Sequence, residues 1–130
     1  DGTIFGKPET KLEFISMMKQ LSARQHEVMT SVYTVESMGS GAISENAFTT
    51  TSKVKFKKLT NHEIEAYWQT GEPKDKAGGY GIQGLGAVLV SAINGSYSNV
   101  VGLPVSELKE LLVGMGFDFW GSLATNGPSI

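Results

Sequence analysis

The 130-residue sequence contains no cysteine, which excludes disulfide bonds, a thiolate nucleophile and cysteine-ligated zinc. It also lacks any apolar run near the roughly 20 residues of a membrane-spanning helix, and Asp1-Gly2-Thr3 has neither the basic nor the apolar stretch of a signal peptide. A soluble, cytoplasmic protein with no membrane partner is expected. Net positive charge is missing too: 11 Lys and Arg against 13 Asp and Glu leave a formal charge of -2. No general attraction for nucleic acid follows, so a polyanion would need a local site. What is present is 40% hydrophobic and 9% aromatic residues, enough for a packed core. The length suits a single domain over residues 1–130, with residues 117–130 as a tail.

Periodicity sorts the chain into elements. Leu12, Ile15, Met18 and Leu21 recur at helical spacing between Glu9 and Ser22, behind Pro8. Residues His26 to Glu36 are rich in Val, Thr and Tyr and read as a strand, and glycines at 39 and 41 precede a second extended stretch. Within that stretch Lys53-Val54-Lys55-Phe56-Lys57 alternates, and its lysines read as a solvated face. Thr60-Asn61-His62-Glu63 has capping-box spacing and predicts a helix ending near Thr70-Gly71, with His62 on its surface. Gly84 to Ile93 reads as a strand, Asn94-Gly95 as a turn, Asn99 to Leu103 as the returning partner strand, and Pro104 as the start of a last helix stopped by Gly114 and Gly116. The fold class expected is mixed α/β, a mixed sheet with hairpins and flanking helices. An opening turn at Asp1-Gly2 implies a strand before this sequence, so the sheet is expected to be N-terminally incomplete.

The segment Gly71 to Gly84 concentrates glycine and charge. Glycines allow close approach of backbone amides to a ligand, and Lys74 and Lys76 add positive charge. The spacing is neither a Walker A motif nor a dinucleotide-binding fingerprint, so an anion-binding loop and an ordinary tight turn both remain open.

Four segments in order resemble the Maf family of nucleoside triphosphate pyrophosphatases. They are Gly6-Lys7-Pro8, Val54-Lys55-Phe56 before Leu59-Thr60, Glu72 to Gly84 with its Asp75-Lys76-Ala77-Gly78 and Tyr80-Gly81-Ile82-Gln83-Gly84 strings, and Asn94-Gly95-Ser96-Tyr97 leading to Asn99-Val100-Val101-Gly102-Leu103-Pro104. The resemblance implies a Maf/inosine-triphosphatase-like fold. It also implies hydrolysis of the α–β phosphoanhydride of a nucleoside triphosphate with a divalent metal, magnesium or manganese. Lys7 matches a phosphate-contacting lysine, and Gln83 the position that separates subgroups. A glutamine there can pair with a pyrimidine N3–H and a carbonyl, which points to dTTP and UTP. Lys76 and Asp75 match further substrate-side positions, where a phosphate contact and a structural ion pair are both open. The family's Ser-x-Ser-Pro-Arg-Arg segment and its Ala-Asp-Thr strand, source of the catalytic aspartate, do not occur in this sequence. The base is therefore expected upstream of this chain, and Asp1 is read as a turn residue. The alternative is a catalytically incomplete nucleotide-binding module with a regulatory role in cell division. The apolar Phe117, Phe119 and Trp120 and an exposed sheet edge suggest a homodimer.

Overall fold

A computed structural model describes residues 2–121; Asp1 and residues 122–130, and with them the expected turn and most of the tail, lie outside the described residues. Helix α1 (Lys11–Leu21) starts at Thr10, whose hydroxyl accepts the Glu13 amide. Pro8 and Glu9 therefore precede the helix rather than form its first turn. The buried stripe is Phe14, Met18 and Leu21, at i, i+4 and i+7. Leu12, expected on that face, is 80% exposed, and Phe14 takes the inward position.

Strands β1 (Gln25–Ser37) and β2 (Ile43–Phe56) form a long antiparallel hairpin, closed where the Met38 amide donates to the Ala42 carbonyl at 2.9 Å. The base of β2 alternates as its sequence demands: Ser52, Val54 and Phe56 are fully buried while Lys53 and Lys55 face solvent. Helix α2 (Asn61–Gln69) carries the complete capping box between Thr60 and Glu63, with Lys57 paired to Glu63 at 2.8 Å. Strand β3 (Val90–Asn94) adds antiparallel to β2, giving a sheet ordered β1-β2-β3. Helices α3 (Tyr97–Val101) and α4 (Val105–Gly114) complete the described chain. The architecture is mixed α/β as expected, and every strand pair among the described residues is antiparallel.

Two expected strands take other forms. Leu85–Leu89 is a 3-10 turn, so β3 begins only at Val90. Asn99–Leu103 does not return as a strand, because Ser96 caps a helix by accepting the Asn99 amide on its hydroxyl at 3.1 Å. Asn99 is fully buried and pins this helix to the hairpin: its Nδ2 donates to the Val28 carbonyl at 3.0 Å and to Ser52 Oγ at 2.9 Å.

The core lies where α1 and α2 meet the base of the sheet. Phe14 is fully buried with its ring 5.2 Å from Trp68 and 6.0 Å from Tyr67. Phe56, Tyr80 and His26 stack edge-on at centroid distances of 4.8–5.5 Å. Tyr80 belongs to the glycine-rich segment, so that segment is anchored in the core rather than draped over the surface.

Candidate functional site

A cleft of about 1510 Å³ opens between β1 and the glycine-rich segment. Residues from Arg24 to Thr30 form one side, Lys76, Tyr80, Gly81 and Gln83 another, and Asn99 to Gly102 of the α3 end a third. Helix α2 and β2 position the segment from behind, through Tyr67 and Phe56.

The segment itself is two short 3-10 turns, Glu72–Asp75 and Ala77–Gly79, followed by the turn at Leu85–Leu89. Gly78 and Gly79 have positive φ of 75° and 79°, which only glycine adopts without strain. A Cβ at Gly79 would also stand 3.0 Å from the Phe14 ring. The glycine amides are already committed. Gly78 N–H donates to the Gly6 carbonyl at 3.0 Å, Gly79 to Lys76 at 2.9 Å and Gly84 to Gly81 at 3.1 Å. Gly81 N–H donates to the Tyr67 hydroxyl at 2.9 Å.

Glu72 organises the far end. Its Oε1 accepts the Leu85 amide and its Oε2 the Gly86 amide, each at 2.9 Å, while the Tyr67 hydroxyl donates to Oε2 in a short hydrogen bond. Burial acts to raise the carboxyl's pKa, but the Tyr67 hydroxyl, the two amides and the nearby Lys76 charge together hold it below the ordinary carboxylate value. Burial and the Glu72 hydrogen bond keep Tyr67 protonated well above the usual phenol range. Across the cleft His26 Nε2 and Tyr80 Oη are 2.8 Å apart, and burial lowers the pKa of His26 while raising that of Tyr80.

The structure brings two of the four sequence candidates into this cleft. Gln83 is exposed there, and among the described residues its side chain has no hydrogen-bond partner. Lys76 is half-buried beside it and pairs loosely with Asp75 at 3.4 Å. Asp75 is exposed and does not line the cleft. Lys7 faces a separate hollow with Pro8, Trp68 and Lys74, although the neighbouring Gly6 is tethered to Gly78. Among the described residues no three His, Asp or Glu side chains come together to hold a metal ion, and the Glu72 carboxylate is filled by its own donors. The described residues hold no preformed three-ligand site, whereas magnesium is commonly held by one or two carboxylates together with substrate phosphate.

Sequence reasoning passed over Glu72, Tyr67, His26 and Asn99. A signal existed for Glu72: it opens a segment whose several glycine amides need acceptors. Nothing in the spacing marked Tyr67 or His26, which come from distant elements.

Comparison with known proteins places the chain in a family. The model of the family described as "Maf-like protein" matches residues 2–115, and the chain belongs to that family. It is similar to the dTTP/UTP pyrophosphatase of Vibrio vulnificus strain YJ016, 51% identical over 112 residues, which are 86% of this chain and 58% of the relative. It is also similar to the dTTP/UTP pyrophosphatases of Halalkalibacterium halodurans, 50% identical over 116 residues (89% and 58%), and of Idiomarina loihiensis, 48% identical over 111 residues (85% and 56%). The chain thus spans little more than half the length of these relatives. No helix among the described residues is long and apolar enough to cross a membrane.

Proposed function

We propose that this chain carries the nucleotide-reading part of a pyrophosphatase that hydrolyses dTTP or UTP between the α and β phosphates. The observation that carries the reading is the cleft lined by both Gln83 and Lys76, on a segment that lies within the family match over residues 2–115. Gln83 offers a donor and an acceptor to a pyrimidine edge, and the Lys76 ammonium offsets polyphosphate charge, with Lys7 contributing from the separate hollow it lines. Asp75 orients Lys76. A divalent metal, magnesium or manganese, and a catalytic base belong to this reading through the family's chemistry. Residues 1–130 act as one domain, in a cytoplasmic protein. A homodimer is supported by the apolar Met29, Tyr33, Val35 and Ile43, each more than half exposed on the hairpin.

The second reading is a nucleotide-binding module without turnover, of regulatory use in cell division. Pyrophosphate release from dTTP, UTP and GTP with magnesium or manganese, measured alongside UTP binding, separates the two. Release from pyrimidine nucleotides supports the enzyme. Binding of UTP that is lost in Gln83→Ala, with no release by this chain or by a form extended upstream, supports the module. Absence of both binding and release refutes the two together.

A further inference from the structure

We propose that Glu72, backed by Tyr67, is the positioning residue for Gln83: it holds the backbone of residues 81–86 so that the Gln83 amide is presented to the cleft. The proposal deepens the reading of Gln83 as the base-recognising side chain and rests on it.

The geometry leaves this short loop few other supports. Among the described residues Gln83 has no hydrogen-bond partner of its own, so its place is set by the residues on either side. On one side Gly81 N–H is held by the Tyr67 hydroxyl; on the other, Leu85 and Gly86 N–H are held by the two oxygens of Glu72; and Tyr67 donates to Glu72, joining the two anchors. The chain comes close enough for this only because side chains are absent. A Cβ at Gly84 would lie 2.0 Å from Glu72 Oε1, and one at Gly86 would lie 2.6 Å from Tyr67 Oη and 2.7 Å from the Gly81 carbonyl oxygen. Glycines at 81, 84 and 86 thus surround the carboxylate and hydroxyl as a close-fitting wrap. Charged-acceptor hydrogen bonds are the stronger kind, and two of them within a few residues fix a loop better than neutral turns would.

The test uses Glu72→Gln and Tyr67→Phe, each alone and combined with Gln83→Ala. Glutamine keeps the size of Glu72 but has one acceptor oxygen, so one of the two loop amides loses its partner. Amide hydrogen exchange at Gly81, Leu85 and Gly86 should speed up by about ten- to hundredfold in either variant, while the amides of α1 keep their rates and report an intact fold. UTP affinity measured by calorimetry should fall toward that of Gln83→Ala, with pyrimidine preference over GTP lost, and the double variants should bind no more weakly than Gln83→Ala alone. Unchanged exchange at the three amides overturns the clamp whatever the nucleotide data show. Double variants that lose the product of the two single effects overturn the positioning role, since Glu72 would then act independently of Gln83. UTP binding that is indifferent to Gln83→Ala overturns the reading of Gln83 and the ligand half of this proposal, and exchange still decides the clamp.

Discussion

Gly84→Ala isolates the closest approach in the molecule's glycine-rich segment. The new Cβ would fall 2.0 Å from Glu72 Oε1 and 2.8 Å from its Cδ, well inside contact distance. The φ of Gly84 is −110°, outside the left-handed region, so the cost does not come from forcing alanine into glycine's own territory. It comes from moving the carboxylate. Displacing it breaks the Leu85 bond to Oε1, and a larger rotation also breaks the Gly86 bond to Oε2. Hydrogen bonds to a charged acceptor contribute about 1.5–3 kcal/mol each, so the substitution should destabilise the fold by about 2–5 kcal/mol. In a Glu72→Ala background the obstacle and both bonds are already gone, and the same glycine change should cost less than about 1 kcal/mol. Urea unfolding of the four proteins closes the cycle, and a coupling above about 1.5 kcal/mol is the expected result. Additive losses would refute the reasoning, because they would show that the Glu72 carboxylate does not lie against Gly84.

Two further outcomes test the core and the cleft wall. Phe14→Ala removes a fully buried ring packed between Trp68 and Tyr67 and should cost about 3–5 kcal/mol by chemical denaturation; a loss near zero would mean that α1 and α2 do not meet there. His26 is half-buried against the Phe56 ring and the Tyr80 hydroxyl, and its pKa is lowered from 6.5 by that burial. The unfolded chain therefore binds a proton more readily than the folded one, so stability should fall as pH drops below 6.5 and level off below the lowered folded value. His26→Phe should remove that part of the slope in pH-dependent thermal unfolding, and an unaltered slope would assign it to other groups.

Elements whose pattern is local were legible in the sequence, and those decided by distant partners were not. The capping box at Thr60 and the alternation through Val54 and Phe56 specify α2 and the base of β2 without outside help. Leu85–Leu89 is apolar enough for a strand, yet the amides of Leu85 and Gly86 are drawn to Glu72, 13 and 14 residues earlier, and cannot join a ladder. Asn99 to Leu103 failed as a strand for a reason that was partly visible, since Ser96 stands three residues before Asn99 at N-cap spacing. The candidate site divides in the same way. Gln83, Lys76, Asp75 and Lys7 were found through resemblance of contiguous motifs, whereas Tyr67, Glu72 and His26 take their places through contacts between separate elements.

The glycine-rich segment could be read from sequence either as an amide cradle for an anion or as a tight turn, and its hydrogen bonds bear on that choice. An amide cradle needs N–H groups pointing at open space. Here the amides of Gly78, Gly79, Gly81, Gly84 and Gly86 all donate within the protein, to carbonyls, to the Tyr67 hydroxyl or to Glu72. Its glycines serve close packing of backbone against Phe14, Tyr67 and Glu72, not the approach of a phosphate to those glycine amides. A carboxylate held below its ordinary pKa beneath the loop would moreover repel a phosphate placed directly over it. Under the proposed reading, what this segment would offer a nucleotide is therefore its side chains, the Gln83 amide and the Lys76 ammonium, set out from a backbone whose glycine hydrogen bonds are already made.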